Sequence, residues 1–246
     1  MTAPAAIRLT RASFRQGRSM VLRDLSFQVE ARERVVVIGP NGAGKSTLLR
    51  ALGGLLAPSF GAVDWPAHPG GPRVAFIWQG IHLVQRLSVL ENVLVGACGR
   101  CRSPLTWLRR FPEHEQARAS DLLRQLGIDH LAHERAGRLS GGERQRAAIA
   151  RALMQDADVL LADEPTASLD WDSARDVACR LSALAAGAGR TLVSVVHDLS
   201  LVEELGERVI ELREGRLVSD GPWEASRRSG IERMLGGVPR HREAAA

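Results

Sequence analysis

The chain contains a single lysine, and it closes a glycine-rich octet. Gly39-Pro40-Asn41-Gly42-Ala43-Gly44-Lys45-Ser46 fits the G-x-x-x-x-G-K-[ST] pattern of a phosphate-cradling loop. Glycines at 39, 42 and 44 let backbone N–H groups converge on phosphate oxygens. A helix opening near Lys45 adds its positive end. An ammonium on a flexible stem can lie along such a loop and reach the β- and γ-phosphates, whereas a guanidinium is planar and shaped for forked contacts. The Ser46 hydroxyl, with Thr47 after it, is placed to coordinate a Mg²⁺ ion that bridges those phosphates. These residues predict a site for a nucleoside triphosphate.

Two more constellations follow. Asp158-Val159-Leu160-Leu161-Ala162-Asp163 reads as an apolar strand with a carboxylate at its C-terminal edge, and Glu164 comes next. An open α/β sheet places metal-binding acids at such edges. Asp163 is expected to hold Mg²⁺ through water, and Glu164 to polarise the attacking water as general base. The third constellation is Leu139-Ser140-Gly141-Gly142-Glu143. Ser140 with Glu143 three residues on is a capping box that opens a helix reaching Met154. Gly141 and Gly142 are poor helix formers, each costing about 1 kcal/mol against alanine. Two glycines in a first turn make sense where a ligand approaches backbone. One small chain has little reason to bind its own nucleotide twice.

The elements that must hold these residues can be read from periodicity and turn signals. Strands are expected over 7–14 and 25–30, flanking a turn at Gln16-Gly17-Arg18. The β-branched run 34–38 suits a strand buried on both faces; it feeds the octet, and a helix follows over 45–52. Residues 58–61 read as a turn and 66–72 as a Pro/Gly-rich loop. A strand over 74–78 ends at Gln79. From 80 to 154 the spacing turns helical, through Leu87, Leu90, Val93 and Leu94, then Leu122, Leu123 and Leu126, with a basic, irregular stretch over 98–112. After the strand at 158–163, a helix is expected over 172–186 and a strand over 190–196 that ends at His197. A hairpin turns at Glu214-Gly215 between 209–212 and 217–219, and the tail over 223–235 reads as helical.

Composition narrows the partners. With 246 residues the chain can hold one large α/β domain with an insertion. Its net charge is +5, but the arginines are interspersed with acids, so no nucleic-acid partner is expected. Cys98, Cys101 and Cys179 make an odd count, which suits reduced thiols in a cytoplasmic protein. The lone Cys98-x-x-Cys101 lacks a second pair for zinc and reads as incidental. No apolar run approaches the roughly 18 residues of a membrane span, and residues 1–8 do not read as a secretory leader. Action at a membrane therefore calls for another chain.

Residues 139–146, taken with the octet, Gln79, the strand ending at Asp163, Ser168-Leu169-Asp170 and His197 in that order, resemble the motif set of ATP-binding cassette (ABC) ATPases over nearly the whole chain. The resemblance implies a P-loop NTPase fold of the α/β class, with a mostly parallel core sheet, a small antiparallel β subdomain and a helical insertion. It implies one ABC ATPase domain over 1–246, in which 1–79 and 155–246 bind nucleotide and 80–154 form a helical subdomain. Gln79 would report γ-phosphate and Mg²⁺ to that subdomain. His197 would contact the γ-phosphate and orient Glu164 and water. Ser140, Gly141, Gly142 and Glu143 would face ATP held by a second copy, so that two chains sandwich two ATP molecules head-to-tail under a two-fold axis, and Asp170 would belong to the nucleotide-binding set. The family usually has an aromatic residue near the first strand to stack on adenine; with no tyrosine in the chain, Phe14 is the expected stacker. The compact stretch after Ser46 implies a trimmed outer sheet. Trp171 stands where the family often has proline, and Arg32 where it often has glycine.

As an implied subunit without spanning helices, the chain would sit at the cytoplasmic face of the plasma membrane, on separate permease chains, with a periplasmic or surface capture protein completing an importer. Segments 87–96, 108–113, 161–165 and 167–170 are similar to phosphonate-import ATPases, which implies phosphonate or a related phosphorus oxyanion as cargo. Phosphate, polar amino acids, and lipoprotein or peptide export are the alternatives, as is a soluble ABC ATPase acting on DNA or the ribosome.

Overall fold

The computed structural model describes residues 4–67, 73–80, 82–101, 106, 110–167 and 169–223. The expected tail helix lies outside them beyond Trp223, as do Ser168, most of the Pro/Gly-rich loop and much of the basic stretch. Strands β1 (Ala5–Gln16) and β2 (Ser19–Glu30) form a long antiparallel hairpin. They outrun the expected 7–14 and 25–30 because the apolar alternation is interrupted. Arg11 and Asp24 take positive φ, 48° and 51°, and the pairing shifts register beside both. Such bulges move the inward set by an odd number of residues, so Leu22 and Leu25 both face the core. After β3 (Arg34–Ile38) comes β4 (Phe60–Asp64), which pairs with the other edge of β1 to complete a three-stranded sheet. Phe60 and Gly61, expected in a turn, are strand residues: Ser13 pairs with Phe60 and Thr10 with Ala62, stepping over the bulge at Arg11.

The second sheet holds six strands. With β5 (Val74–Ile77), β6 (Val159–Asp163), β7 (Thr191–Val195), β8 (Arg208–Arg213) and β9 (Arg216–Pro222), its order is β5-β6-β7-β3-β8-β9. All pairs are parallel except β8 with β9. Those two meet at Glu214-Gly215, where φ is 49° and 75°, the pattern of a type I′ turn. Side chains alternate across this sheet. Val35 and Val37 join Leu161, Leu48 and Ile7 beneath the antiparallel sheet and α1 (Lys45–Leu52), while Val36 and Ile38 join Leu160 in the core on the other face.

That second core continues into the insertion. Helices α2 (Val89–Val95), α3 (Glu113–Gln125) and α4 (Gly141–Met154) bury Val89, Val93, Leu123, Ile149 and Leu153 in one cluster. The same cluster takes Val177 and Leu181 of α5 (Trp171–Gly187), and Val202 and Leu205 of α6 (Val202–Leu205). Polar ties reinforce the junction. Asp156 accepts from Arg118 of α3 at 2.6 Å and from Arg190, just before β7, at 3.2 Å. The Arg118 hydrogen bond holds the Asp156 carboxyl below the usual carboxylate range. Its stabilisation is therefore present above the unfolded-state pKa and is lost as pH falls through the lower folded value. Asp156→Asn is expected to melt below the native protein at neutral pH, with the gap closing in acid. Thermal melts across pH check this; a gap of constant size would show that charge is not its source.

Candidate nucleotide site

The sheet order places the chemistry. Adjacent parallel strands β5, β6, β7 and β3 end, in that order, at Gln79, Asp163-Glu164, His197 and the Gly39 loop. Asp163 is level with Val195, and Val195 with Val37, so three of these ends lie in one row. Residues as distant in sequence as Gly39 and His197 thereby share one sheet edge, the crevice where open α/β sheets bind ligands.

The glycine loop is shaped for an anion. Gly44 caps α1 at φ 98°, and a Cβ there would lie 2.6 Å from Leu22 Cδ2, so only glycine fits. No side chain caps this helix and its first turn holds no acid, which leaves its N–H groups to a ligand. Lys45 is buried and bends back along the loop, donating to the carbonyls of Gly39 at 2.8 Å and Pro40 at 3.1 Å. Burial pushes its ammonium below the usual lysine range, against the pull of Glu164 and Asp163. Ser46 donates its hydroxyl to Asp163 Oδ1 at 3.2 Å. Asp163 is buried too, and burial pushes its carboxyl up, with the Ser46 bond opposing. Hard oxygen donors this close, one of them a buried carboxylate, fit Mg²⁺, which takes few protein ligands and leaves the rest to phosphates and water.

Glu164 sits at φ 50°, a conformation that costs a non-glycine residue about 1–3 kcal/mol. Three bonds fix it there. Its N–H donates to Val195 O at 3.1 Å, Gln79 Nε2 donates to its Oε2 at 2.7 Å, and His197 Nε2 lies 2.6 Å from its Oε1. A carboxylate held by two polar side chains, beside a glycine loop and a buried acid, has the placement that general-base chemistry requires.

Other expected site residues lie elsewhere. Ser140 and Glu143 form the anticipated capping box: the Glu143 carboxylate accepts from Ser140 N at 2.7 Å, and Ser140 Oγ accepts from Glu143 N at 3.4 Å. The Ser140 bonds hold the Glu143 carboxyl below its usual range. Asp170 caps α5, accepting from Ser173 N at 3.0 Å. Among the described residues, none of Ser140, Gly141, Gly142, Glu143 or Asp170 hydrogen-bonds the glycine loop. Phe14 requires a correction. Its ring is fully buried beside Leu22 and Leu25, so it offers no face to adenine; an inward strand position won over the expected stacking role.

Two residues escaped the sequence reading. Asn92 is fully buried on α2; its Oδ1 accepts from Val84 N at 2.8 Å and its Nδ2 donates to Val84 O at 3.1 Å. Arg151 of α4 donates to His82 O at 2.6 Å. Together they tie the segment after Gln79 to both α2 and α4. An amide on the apolar face of 89–94 was the available signal for Asn92; Arg151 carried none.

A central strand feeding a glycine loop and helix, with an acidic strand end two strands away, defines an α/β P-loop protein. The ABC transporter family model matches residues 22–167, and the chain belongs to that family. It is 36% identical over 230 residues to the phosphonates import ATP-binding protein PhnC 1 of Ruegeria sp. (strain TM1040), covering 89% of this chain and 90% of that one. It is 42% identical over 211 residues to the phosphonates import ATP-binding protein PhnC of Trichormus variabilis, covering 82% and 85%. Among solved structures, a nucleotide-free ATP-binding cassette from an ABC transporter superposes with a TM-score of 0.79 at 25% identity, over 93% of this chain and 95% of that one. A dimeric cassette in a post-hydrolysis state, bound to ADP and Pi, gives 0.75 at 28%, over 89% and 99%.

Proposed function

We propose that this chain binds and hydrolyses ATP to drive an importer of phosphonate, or of a related phosphorus oxyanion, through separate permease chains at the cytoplasmic face of the plasma membrane. The observation that carries hydrolysis is Glu164, strained and clamped between Gln79 and His197 at the mouth of the glycine loop. Lys45 leaves its loop carbonyls for the β- and γ-phosphates, and the loop's backbone N–H groups, from Asn41 through Thr47, close around them. Ser46, Asp163 and Gln79 would hold Mg²⁺, which would supply the positive charge that offsets the phosphates. Glu164 takes the proton of the attacking water, and His197 fixes the carboxylate and the γ-phosphate oxygen.

The same reading needs two copies. A Cβ on Gly141 would meet nothing within 4 Å, and one on Gly142 would make only an ordinary contact, 3.8 Å from Leu169. Nothing among the described residues therefore calls for glycine there; a second copy's ATP approaching the backbone does. Gly141→Ala is expected to leave melting unchanged or raised, by up to about 1 kcal/mol of helix propensity, and to abolish ATP-driven pairing. Melting curves alongside sedimentation check both halves; normal pairing would remove the second nucleotide face.

Residues 80–154 act as the moving arm in this reading. Asn92 and Arg151 bind the Gln79 segment to α2 and α4, so a γ-phosphate contact at Gln79 is felt at the helix that opens at Ser140. A groove of about 600 Å³ runs beside this arm, lined by Phe76, Trp78, Val95, Arg100 and Arg151, and we place the permease contact there. The cargo rests on the relatives named above. The test is the complex with its permease chains in proteoliposomes. Capture protein loaded with methylphosphonate should accelerate ATP hydrolysis, whereas acceleration by an amino-acid-loaded capture protein alone would reassign the cargo.

A further inference from the structure

The segment leading into α5 carries an aromatic side chain that neither core takes up. Trp171, the first residue of α5, is 47% exposed. Its helix does not require it: Asp170 supplies the cap through Ser173 N, and the first helical position is one that proline commonly fills. Single exposed apolar residues are common on monomers and by themselves mean nothing. The place of this one in the fold gives it meaning. Two residues earlier, Leu169 lies against the start of α4, its Cδ2 3.8 Å from where a Gly142 Cβ would stand. The open glycines at 141 and 142 and the residues at 169–171 are thus neighbours on the surface that the two-copy reading gives to a second chain.

We propose that Trp171 anchors the ATP-dependent contact between two copies: wet in the single chain, it is covered by the second copy when nucleotide is sandwiched. The proposal rests on the two-copy reading above and adds a residue to it. Tryptophan is the side chain most enriched among interface residues that dominate affinity, since it removes a large rigid surface from water with little entropy lost. Under a two-fold axis each copy contributes one indole, so a single substitution acts twice.

The experiment uses the full chain with Glu164→Gln, which retains ATP, and compares it with the same chain carrying Trp171→Ala or Trp171→Phe. Sedimentation velocity in Mg²⁺ and ATP reads the pairing constant. Trp171→Ala is expected to weaken pairing at least about tenfold, with Trp171→Phe between the two and ATP binding by each single copy unaltered. A difference emission spectrum between the Glu164→Gln chain and its Trp171→Phe form should shift to shorter wavelength as pairing saturates, which reads burial of the indole without truncating it. Pairing of the alanine variant with an unchanged constant, or an indole whose emission stays that of a wet ring in the paired state, overturns the proposal while leaving the two-copy reading intact. If the chain with Trp171 in place never pairs, both fall.

Discussion

Glutamine in place of Glu164 is expected to lower ATP turnover by about 10²–10⁴-fold, the usual contribution of a positioned general base, while ATP binding is retained. The substitution keeps the shape of the side chain and removes only its capacity to accept a proton. Gln79 Nε2 at 2.7 Å and His197 Nε2 at 2.6 Å approach its two oxygens. In a glutamine the remaining oxygen can still accept from Gln79 Nε2, and the NH₂ can meet His197 Nε2 in the tautomer whose Nε2 accepts. The strained backbone stays anchored by the bond to Val195 O. Single-turnover hydrolysis and nucleotide binding, measured side by side, separate the two effects. Undiminished hydrolysis would remove Glu164 from the role of base.

Loss of the Lys45 ammonium acts at an earlier step. Lys45→Ala removes charge-assisted bonds to phosphate, worth about 1.5–3 kcal/mol, or about 10–150-fold in affinity at 1.4 kcal/mol per decade. Turnover falls with it, because the same ammonium meets the charge that develops on the transferred group. Lys45→Arg is expected to do little better, although it keeps the charge. The side chain is only 6% exposed and threads past the carbonyls of Gly39 and Pro40. A planar guanidinium cannot follow that path without displacing the loop. Titration with a fluorescent ATP analogue decides the matter; native affinity in the arginine variant would show that any cation suffices.

Local chemistry was legible wherever a residue type answers a local need. The octet at 39–46 announced its loop because glycine alone tolerates the backbone there, and Ser140 with Glu143 announced a helix start because two side chains three apart satisfy each other's N–H groups. Buried strands β3, β6 and β7 were plain from continuous apolar runs. Legibility failed at bulges. Arg11 and Asp24 broke the two-residue period, hiding the outer parts of β1 and β2 and all of β4. Phe14 failed for a related reason: aromatic character said that the ring would be used, not which side of a bulged strand it would face.

The amino-acid order by itself determined which groups are present: one ammonium in a glycine loop, an acid pair ending a strand, a histidine ending another, a capped helix start with two glycines. Only the tertiary structure decided that Gln79 and His197 meet the same carboxylate, that Ser46 meets Asp163, and that Asn92 and Arg151 fasten the loop after Gln79 to two helices. The reason is range. Caps, turns and glycine conformations are settled within a few residues, whereas neighbours across the sheet follow from the order β5-β6-β7-β3, which is set by packing both faces of the sheet at once.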